Sequence, residues 1–240
     1  MIKIDAGGSD FRELNEKIRA AEGDCEVVGC LGQRFIGAGM AGKTIRVRGI
    51  SGNALGAYLN GATILTDGNA QDAVGDTMNA GKIVIRGDVG DAAGYAMRGG
   101  AIFVKGNAGY RAGIHMKEYR EKIPVLVIGG RTGSFLGEYQ AGGRMIVLGL
   151  HADGKPVVGN FPCMGMHGGK LYLRSDCKGV VFPERVHTRP ATAEDLNEIQ
   201  APLEEFAERF GYRFSDLIGA PFTVAVPDSK NPYKQMYVAN

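Results

Sequence analysis

The chain has 240 residues, 44% of them hydrophobic, with no tryptophan and a formal charge of +2, enough for one large domain or two small ones with ample core. The near-balanced charge excludes a general nucleic-acid binder, and no apolar run approaches the ~18 residues of a membrane span. The start, MIKIDAGGSDFREL, turns polar too early for a signal peptide, and Cys25, Cys30, Cys163 and Cys177 form no Cys-x-x-Cys pair and have no histidine at ligand spacing, so they read as reduced thiols of a cytoplasmic protein.

Residues 1–22 read as an N-terminal cap. IKI is followed by DFRELNEKIRAAEG, where Asp10 and Glu13 resemble a capping box and Phe11, Leu14 and Ile18 form one helical stripe. Such a helix can plug the end of a solenoid, whose terminal coil otherwise exposes strand edges and core.

The stretch GAGMAGKT, Gly37 to Thr44, satisfies both the P-loop pattern G-x-x-x-x-G-K-[ST] and the dinucleotide pattern G-x-G-x-x-G. A P-loop needs a helix after Lys-Thr, so that backbone donors and the helix dipole face phosphate. Here TIRVRG follows, an alternating strand ended by Gly49, and the equivalent stretches GAYLNGAT and GYAMRGGA lack Lys-Thr. The glycines therefore belong to something other than a nucleotide site.

That something is a repeat. The chain holds 38 Gly, about twice the ordinary ~7%. From Gly37, steps of 19 residues land on Gly56, Gly75, Gly94 and Gly113. A second series runs Gly42, Gly61, Ala80, Gly99, and a third Gly49, Gly68, Gly87, Gly106. Met40, Leu59, Met78, Met97 and Met116 hold one slot, and Ile45, Ile64, Ile83 and Ile102 another. Insertions around KEYREKIP and HADGKPV shift the register, which resumes at Leu126 and Ile128, at Met145 and Val147, and at Leu171 and Leu173. Cys163 stands in a glycine slot. The result is about eight units between residues 23 and 175.

Each unit contains one short alternating strand, as in AIFVK, followed by glycine-bounded turns. Asn53, Asp72, Asp91, Ser134 and Asn160 recur at one corner, where such side chains cap local backbone donors. A unit this short suits one coil of a parallel β-helix, with a contour of roughly 60 Å and a rod of roughly 38 Å for eight coils. The fold class is all-β, a single-stranded parallel solenoid over residues 23–180, with parallel strands at 44–47, 63–66, 82–85, 101–104, 125–128, 144–147 and 170–173. Equivalent positions stack into ladders, the aliphatic and methionine slots pointing inward.

After residue 180 glycine thins, and residues 181–240 read as a helical arm and tail. TAEDLNEIQAPLEEFAERFG opens on a cap at Thr192 and Asp195, and carries Leu196, Ile199, Leu203, Phe206 and Phe210 as an apolar stripe, with Pro202 placed to start a second helix. PFTVAVP is a short strand, and SKNPYKQMYVAN closes the chain. The segment can cap the solenoid, bind a partner, or both.

No H-E-x-x-H, G-x-S-x-G or Cys-x-x-Cys pattern occurs, and the four histidines are scattered. Asp72 and Asp91 fall on adjacent coils, but read as corner caps rather than an acid–base pair; His115 reads as a surface bend. No catalytic, cofactor-binding or metal-binding residue is assigned. The places where the chain breaks its own register are the loop 117–123, the loop 151–157 and the arm after 183. Tyr119, Arg120, Phe222, Tyr233 and Tyr237 are the candidate partner contacts there, since Tyr and Arg are enriched at energetic centres of interfaces.

The run from GNALGAYLNGATILTDG to GNAGYRAGIHM closely resembles the G-x-x-G-x-x-x-G β-helix domain at the C-terminus of the large (α) subunit of glutamate synthase. The match covers residues 23–175, and the whole chain is similar to the stand-alone version found where that large polypeptide is split, as in archaeal-type enzymes. Related coils occur in formylmethanofuran dehydrogenase, in the formyltransferase/hydrolase complex and in N-methylglutamate synthase. The resemblance implies a right-handed parallel β-helix, in keeping with the handedness rule for parallel crossovers. It also implies a non-catalytic assembly subunit, with the amidotransferase and the FMN and iron–sulfur synthase chemistry on partner subunits and no cofactor in this chain. Self-association into a homo-oligomer is compatible with it.

Overall fold

The computed structural model describes residues 1–228, so Tyr233 and Tyr237 lie outside the described residues. In chain order the elements are β1 (Ile2–Asp5), α1 (Phe11–Ala20), β2 (Cys25–Leu31), β3 (Thr44–Ile50), β4 (Asn60–Thr66), β5 (Ala80–Ile85), β6 (Ala101–Val104), β7 (Val125–Ile128), β8 (Ala141–Val147), β9 (Gly168–Leu173), β10 (Val186–Pro190), α2 (Ala193–Phe210), α3 (Phe214–Ile218) and β11 (Thr223–Pro227). All strands lie in one sheet, in the order β1 to β9, then β11, then β10. Pairing is parallel from β1 through β9 and antiparallel at the β9–β11 and β11–β10 steps. Every strand expected between residues 44 and 173 is present, and the fold is an all-β parallel β-helix of about eight turns.

The register of the sequence is the register of the sheet. Ile45 pairs with Ile64, Ile64 with Ile83, Ile83 with Ile102, and the column continues through Leu126, Met145 and Leu171. All of these side chains are buried, together with the Met40–Leu59–Met78–Met97–Met116 slot. Full burial of each large aliphatic side chain is worth roughly 1.5–3 kcal/mol. Gln140 takes the next place in the methionine slot, fully buried, its amide donating to the Gly142 and Gly143 carbonyls.

The first glycine series turns the coil. Gly37, Gly56, Gly75, Gly94, Gly113 and Gly137 all have φ between 66° and 74°, a region L-residues enter at a cost of about 1–2 kcal/mol. At Gly56 a Cβ would also lie 2.6 Å from Ile83 Cδ1 of the next coil. The corner Asx residues work differently from the local caps expected of them. The Asp91 amide donates to Asp72 Oδ1 (2.9 Å) and the Tyr110 amide to Asp91 Oδ1 (2.8 Å), each 19 residues along. A second column runs through Asn69, Asp88 and Asn107 in the same way. These side chains bind coil to coil.

The flanks depart from expectation in four respects. Ile2–Asp5 is itself a strand of the sheet, parallel to β2. The helix α1 packs on the core through Leu14 and Ile18, but Phe11 of its stripe is exposed. The helix α2 lies on the outer face of the sheet instead of plugging the far end. Its Ile199, Leu203, Phe206 and Phe210 pack on Val84, Phe103, Val127, Ile146 and Tyr172. It also runs unbroken through Pro202. Proline in a helix interior removes a hydrogen bond and usually kinks the chain; here one apolar floor holds the stripe on both sides of it. The expected cap is present in full, with the Thr192 and Asp195 side chains bonding each other's backbone amides. The β10–β11 pair covers the open edge of β9.

Candidate functional site: an aromatic corner and its loop

Lys43 has a structural task. Its ammonium donates to the Ile18 (2.8 Å) and Ala21 (2.7 Å) carbonyls at the C-terminus of α1, where backbone acceptors lack intrahelical partners and the helix dipole favours a cation. Thr44 begins a strand. The one Lys-Thr in the repeat is thus the tie between the first helix and the first coils.

The unusual surface lies along the corner. In each coil the glycine of the first series is flanked, two residues before and two after, by further residues of positive φ. The preceding position holds Phe35, Ala54, Ala73, Ala92, Arg111, Phe135 and Phe161; the following one holds Gly39, Tyr58, Thr77, Ala96, His115, Tyr139 and Gly165. Two glycines show what the backbone alone asks for. The bulky residues at the other places sit in a conformation costing about 1–2 kcal/mol each, and many of them point outward.

They also stack. His115 lies on Tyr139 with ring centroids 5.1 Å apart, and the edge of Tyr95 meets His115 at 6.0 Å. In the second column Phe135 stacks on Phe161 at 5.4 Å, and the Arg111 guanidinium sits 5.0 Å above Phe135. Arg111 is held by Glu138 at 2.9 Å. Tyr58, Tyr95, Tyr110, Tyr139, Phe161 and Met164 are all exposed. Aromatic pairs are worth about 0.5–1.5 kcal/mol beyond burial, which offsets part of the strain.

The loop after Met116 adjoins this corner in sequence. Tyr119 is 57% exposed and forms a small antiparallel bridge with Lys122, while the Arg120 guanidinium lies 5.2 Å from the Tyr119 ring. Arg120 has a φ of 54°. The loop is anchored by Glu118, whose carboxylate accepts the Gly143 amide at 3.0 Å. Tyr119 and Arg120 therefore stand at the surface, in the loop that follows the His115 corner in the chain. Phe222 does not: it is 5% exposed and packs in the cluster under α2, because β11 returns to pair with β9 and carries its start inward. In the loop 151–157, His151 is exposed but Val157 is core, its carbonyl accepting the Thr132 amide.

Chemistry elsewhere is quiet. Among the described residues no group of three or more His, Cys, Asp or Glu is placed to hold a metal ion, and no helix is long and apolar enough to cross a membrane. Burial pushes the Cys163 thiol up to about 12, far from the thiolate a nucleophile needs. The strongest ionic cluster is beneath α2, where Lys170 meets Glu198 (2.8 Å) and Asp195 (3.3 Å), and the Tyr172 hydroxyl donates to Glu198 (2.7 Å). Every member is engaged in holding the helix to the sheet.

Sequence reasoning missed the corner because conformation is not written in residue names. The available signal was positional: Gly39 and Gly165 share a slot with Tyr58, His115 and Tyr139.

Fold and site together define a parallel β-helix repeat protein with an exposed aromatic face. The sequence pattern of the GXGXG motif family matches residues 24–229, and the chain belongs to that family. A Methanocaldococcus jannaschii relative, "Uncharacterized protein MJ1350", is 42% identical over 250 residues, covering 98% of this chain and 96% of its own length. Among solved structures, a chain of the formyltransferase/hydrolase complex (FhcABCD) from Methylorubrum extorquens, solved with methylofuran, shares the fold with a TM-score of 0.64. That chain is 22% identical, the likeness covering 85% of this protein and 73% of the other.

Proposed function

We propose that this chain is a non-catalytic assembly subunit of a glutamate-synthase-like complex. It joins a glutamine-hydrolysing amidotransferase to an FMN and iron–sulfur synthase subunit in the cytoplasm, and carries no cofactor itself. The observation behind the reading is the corner: Tyr58, His115 and Tyr139 stand exposed at left-handed positions that Gly39 and Gly165 fill without strain. Strained, exposed aromatic residues are retained where something other than folding requires them. Aromatic and arginine side chains are also the usual anchors of protein interfaces. The contact surface comprises the His115–Tyr139 column, the Arg111–Phe135–Phe161 column and the loop bearing Tyr119 and Arg120, with Tyr233 and Tyr237 as further contacts.

A second reading is supported by the fold match to a chain of the formyltransferase/hydrolase complex: the same assembly role in a formyl-transfer or formylmethanofuran complex. Purification of the tagged chain from its source organism, followed by identification of co-purifying subunits and two assays, distinguishes the readings. Glutamine-dependent amination of 2-oxoglutarate supports the first, and formyl transfer the second. A chain recovered alone from fresh extract at low salt counts against both.

A further inference from the structure

An open sheet has two edges, and an unpaired edge strand is a template for another chain. Here β10 forms one edge and β1 the other. The two are built differently.

At β10 the Arg185 carbonyl accepts the Asp228 amide and the Phe222 carbonyl accepts the Ala191 amide, each at 2.9 Å. Hydrogen-bonded places alternate along an antiparallel pair, so Val186, Thr188 and Pro190 turn their backbone groups outward. The Val186 amide donates to the Pro183 carbonyl at 2.9 Å. Pro190 has no amide, and its carbonyl accepts the Arg189 guanidinium at 3.2 Å. Proline and local turns of this kind blunt an edge.

At β1 the backbone is left open. The Ile2 amide donates to the Asp24 carbonyl and the Ala6 amide to the Val28 carbonyl, each at 2.9 Å. Ile2, Ile4 and Ala6 therefore turn their backbone groups to β2, and the amides and carbonyls of Lys3 and Asp5 point the other way. Among the described residues no strand lies on that side. Both side chains are exposed, and their charges are opposite. Asp5 accepts the Gly7 amide through Oδ1 at 2.9 Å, which leaves Oδ2 available. Lys3 also feels the Glu26 carboxylate of the neighbouring strand, but Arg48 binds that carboxylate at 2.8 Å.

We propose that a second copy of this chain pairs with β1 antiparallel, about a two-fold axis through Ile4. Lys3 then stands opposite Asp5 of the second copy, and Asp5 opposite its Lys3. These are the residues whose backbone groups point outward, so each pair exchanges both N–H···O=C bonds. Each pair also sets an ammonium beside a carboxylate on one face of the sheet. Sliding the register either way sets Lys3 against Lys3 or Asp5 against Asp5, so charge fixes the alignment. The same arrangement carries the exposed Met1 and Ile2 of one copy towards Leu31 of the other, which lies past the end of the β1–β2 pairing and is 82% exposed. An isologous contact closes on itself, so association stops at the dimer. The proposal is independent of which complex the chain joins.

Sedimentation velocity of the full chain tests it. With an edge of 4 residues, the parent should pass from monomer to dimer with a dissociation constant on the order of 10 µM. Lys3→Asp and Asp5→Lys each set like charges opposite one another and should weaken the dimer at least about tenfold. An equimolar mixture of those two variants restores opposite charges at both pairs and should dimerise as the parent does. Lys3→Pro removes an amide that β2 does not use, and should weaken the dimer while circular dichroism and the urea midpoint hold. Lys178→Asp, beyond β9, should change nothing. A parent that stays monomeric to about 300 µM, single variants that associate as well as their mixture, or growth past the dimer each overturns the proposal. So does a monomeric parent whose Lys3→Pro variant loses a partner subunit, which would give the edge to a strand of that partner.

Discussion

Replacing His115 by glycine separates what the corner does for folding from what it does for assembly. His115 has a φ of 56°, so glycine there relieves about 1–2 kcal/mol of left-handed strain. Against this, the His115 ring stacks on Tyr139 at 5.1 Å and meets the edge of Tyr95 at 6.0 Å. Losing those contacts at an exposed site costs about 0.5–1.5 kcal/mol, and glycine adds roughly 0.5–1 kcal/mol of unfolded-state entropy. The opposing effects nearly cancel, so urea unfolding of His115→Gly should give a stability within about 1 kcal/mol of the parent. Partner binding should behave otherwise. A hot-spot aromatic in an interface is worth about 2 kcal/mol or more, so co-purification or titration with the isolated partner subunits should weaken more than about tenfold. A stability loss above about 3 kcal/mol would show that the ring is structural. Unchanged assembly in a stable variant would refute the reading of the corner as an interface.

Ile102 is fully buried between Ile83 and Leu126, so Ile102→Ala should cost about 2–5 kcal/mol in denaturant unfolding; a loss below about 0.5 kcal/mol would contradict the inward assignment. Lys43→Met removes the donor to the α1 carbonyls and should cost about 1.5–3 kcal/mol, while nucleotide titration gives no signal in either protein; Lys43-dependent ATP binding would reverse that account. Phe222→Asp buries a carboxylate in the cluster under α2 and should unfold the arm, seen as lost protease resistance after residue 183; a fully resistant variant would return Phe222 to the surface. The Arg189 guanidinium holds the Asp195 carboxyl well below the usual carboxylate range, burial opposing it and the Thr192 amide and hydroxyl adding to it. A depressed folded-state value stabilises the fold above the ordinary Asp value of about 4 and loses that contribution as pH falls towards the folded value. Asp195→Asn should therefore lower stability at neutral pH and flatten its fall below about pH 4; an identical acid limb in both proteins would sink the assignment.

Much of the solenoid is determined by the sequence alone, because each residue's main neighbours are the same slot one coil away. A step of 19 links Ile64 to Ile83 and Ile83 to Ile102 both in the chain and across the sheet, so the strands, their register and the inward columns are readable from offsets. The outward apolar column was readable on the same terms, with Val84, Phe103 and Val127 at equivalent places, and it marks where α2 lies. Which helix covers it was not readable. Lys82 and Glu205 meet across 123 residues, a contact no periodicity encodes. The same holds for Phe222, whose burial depends on β11 reversing direction against β9. The strained corner also emerged only in three dimensions, since φ at His115 or Tyr139 is imposed by the coil around them. Local repetition makes contacts a function of sequence distance; packing between unlike elements depends on shape and charge, which only the assembled fold brings together.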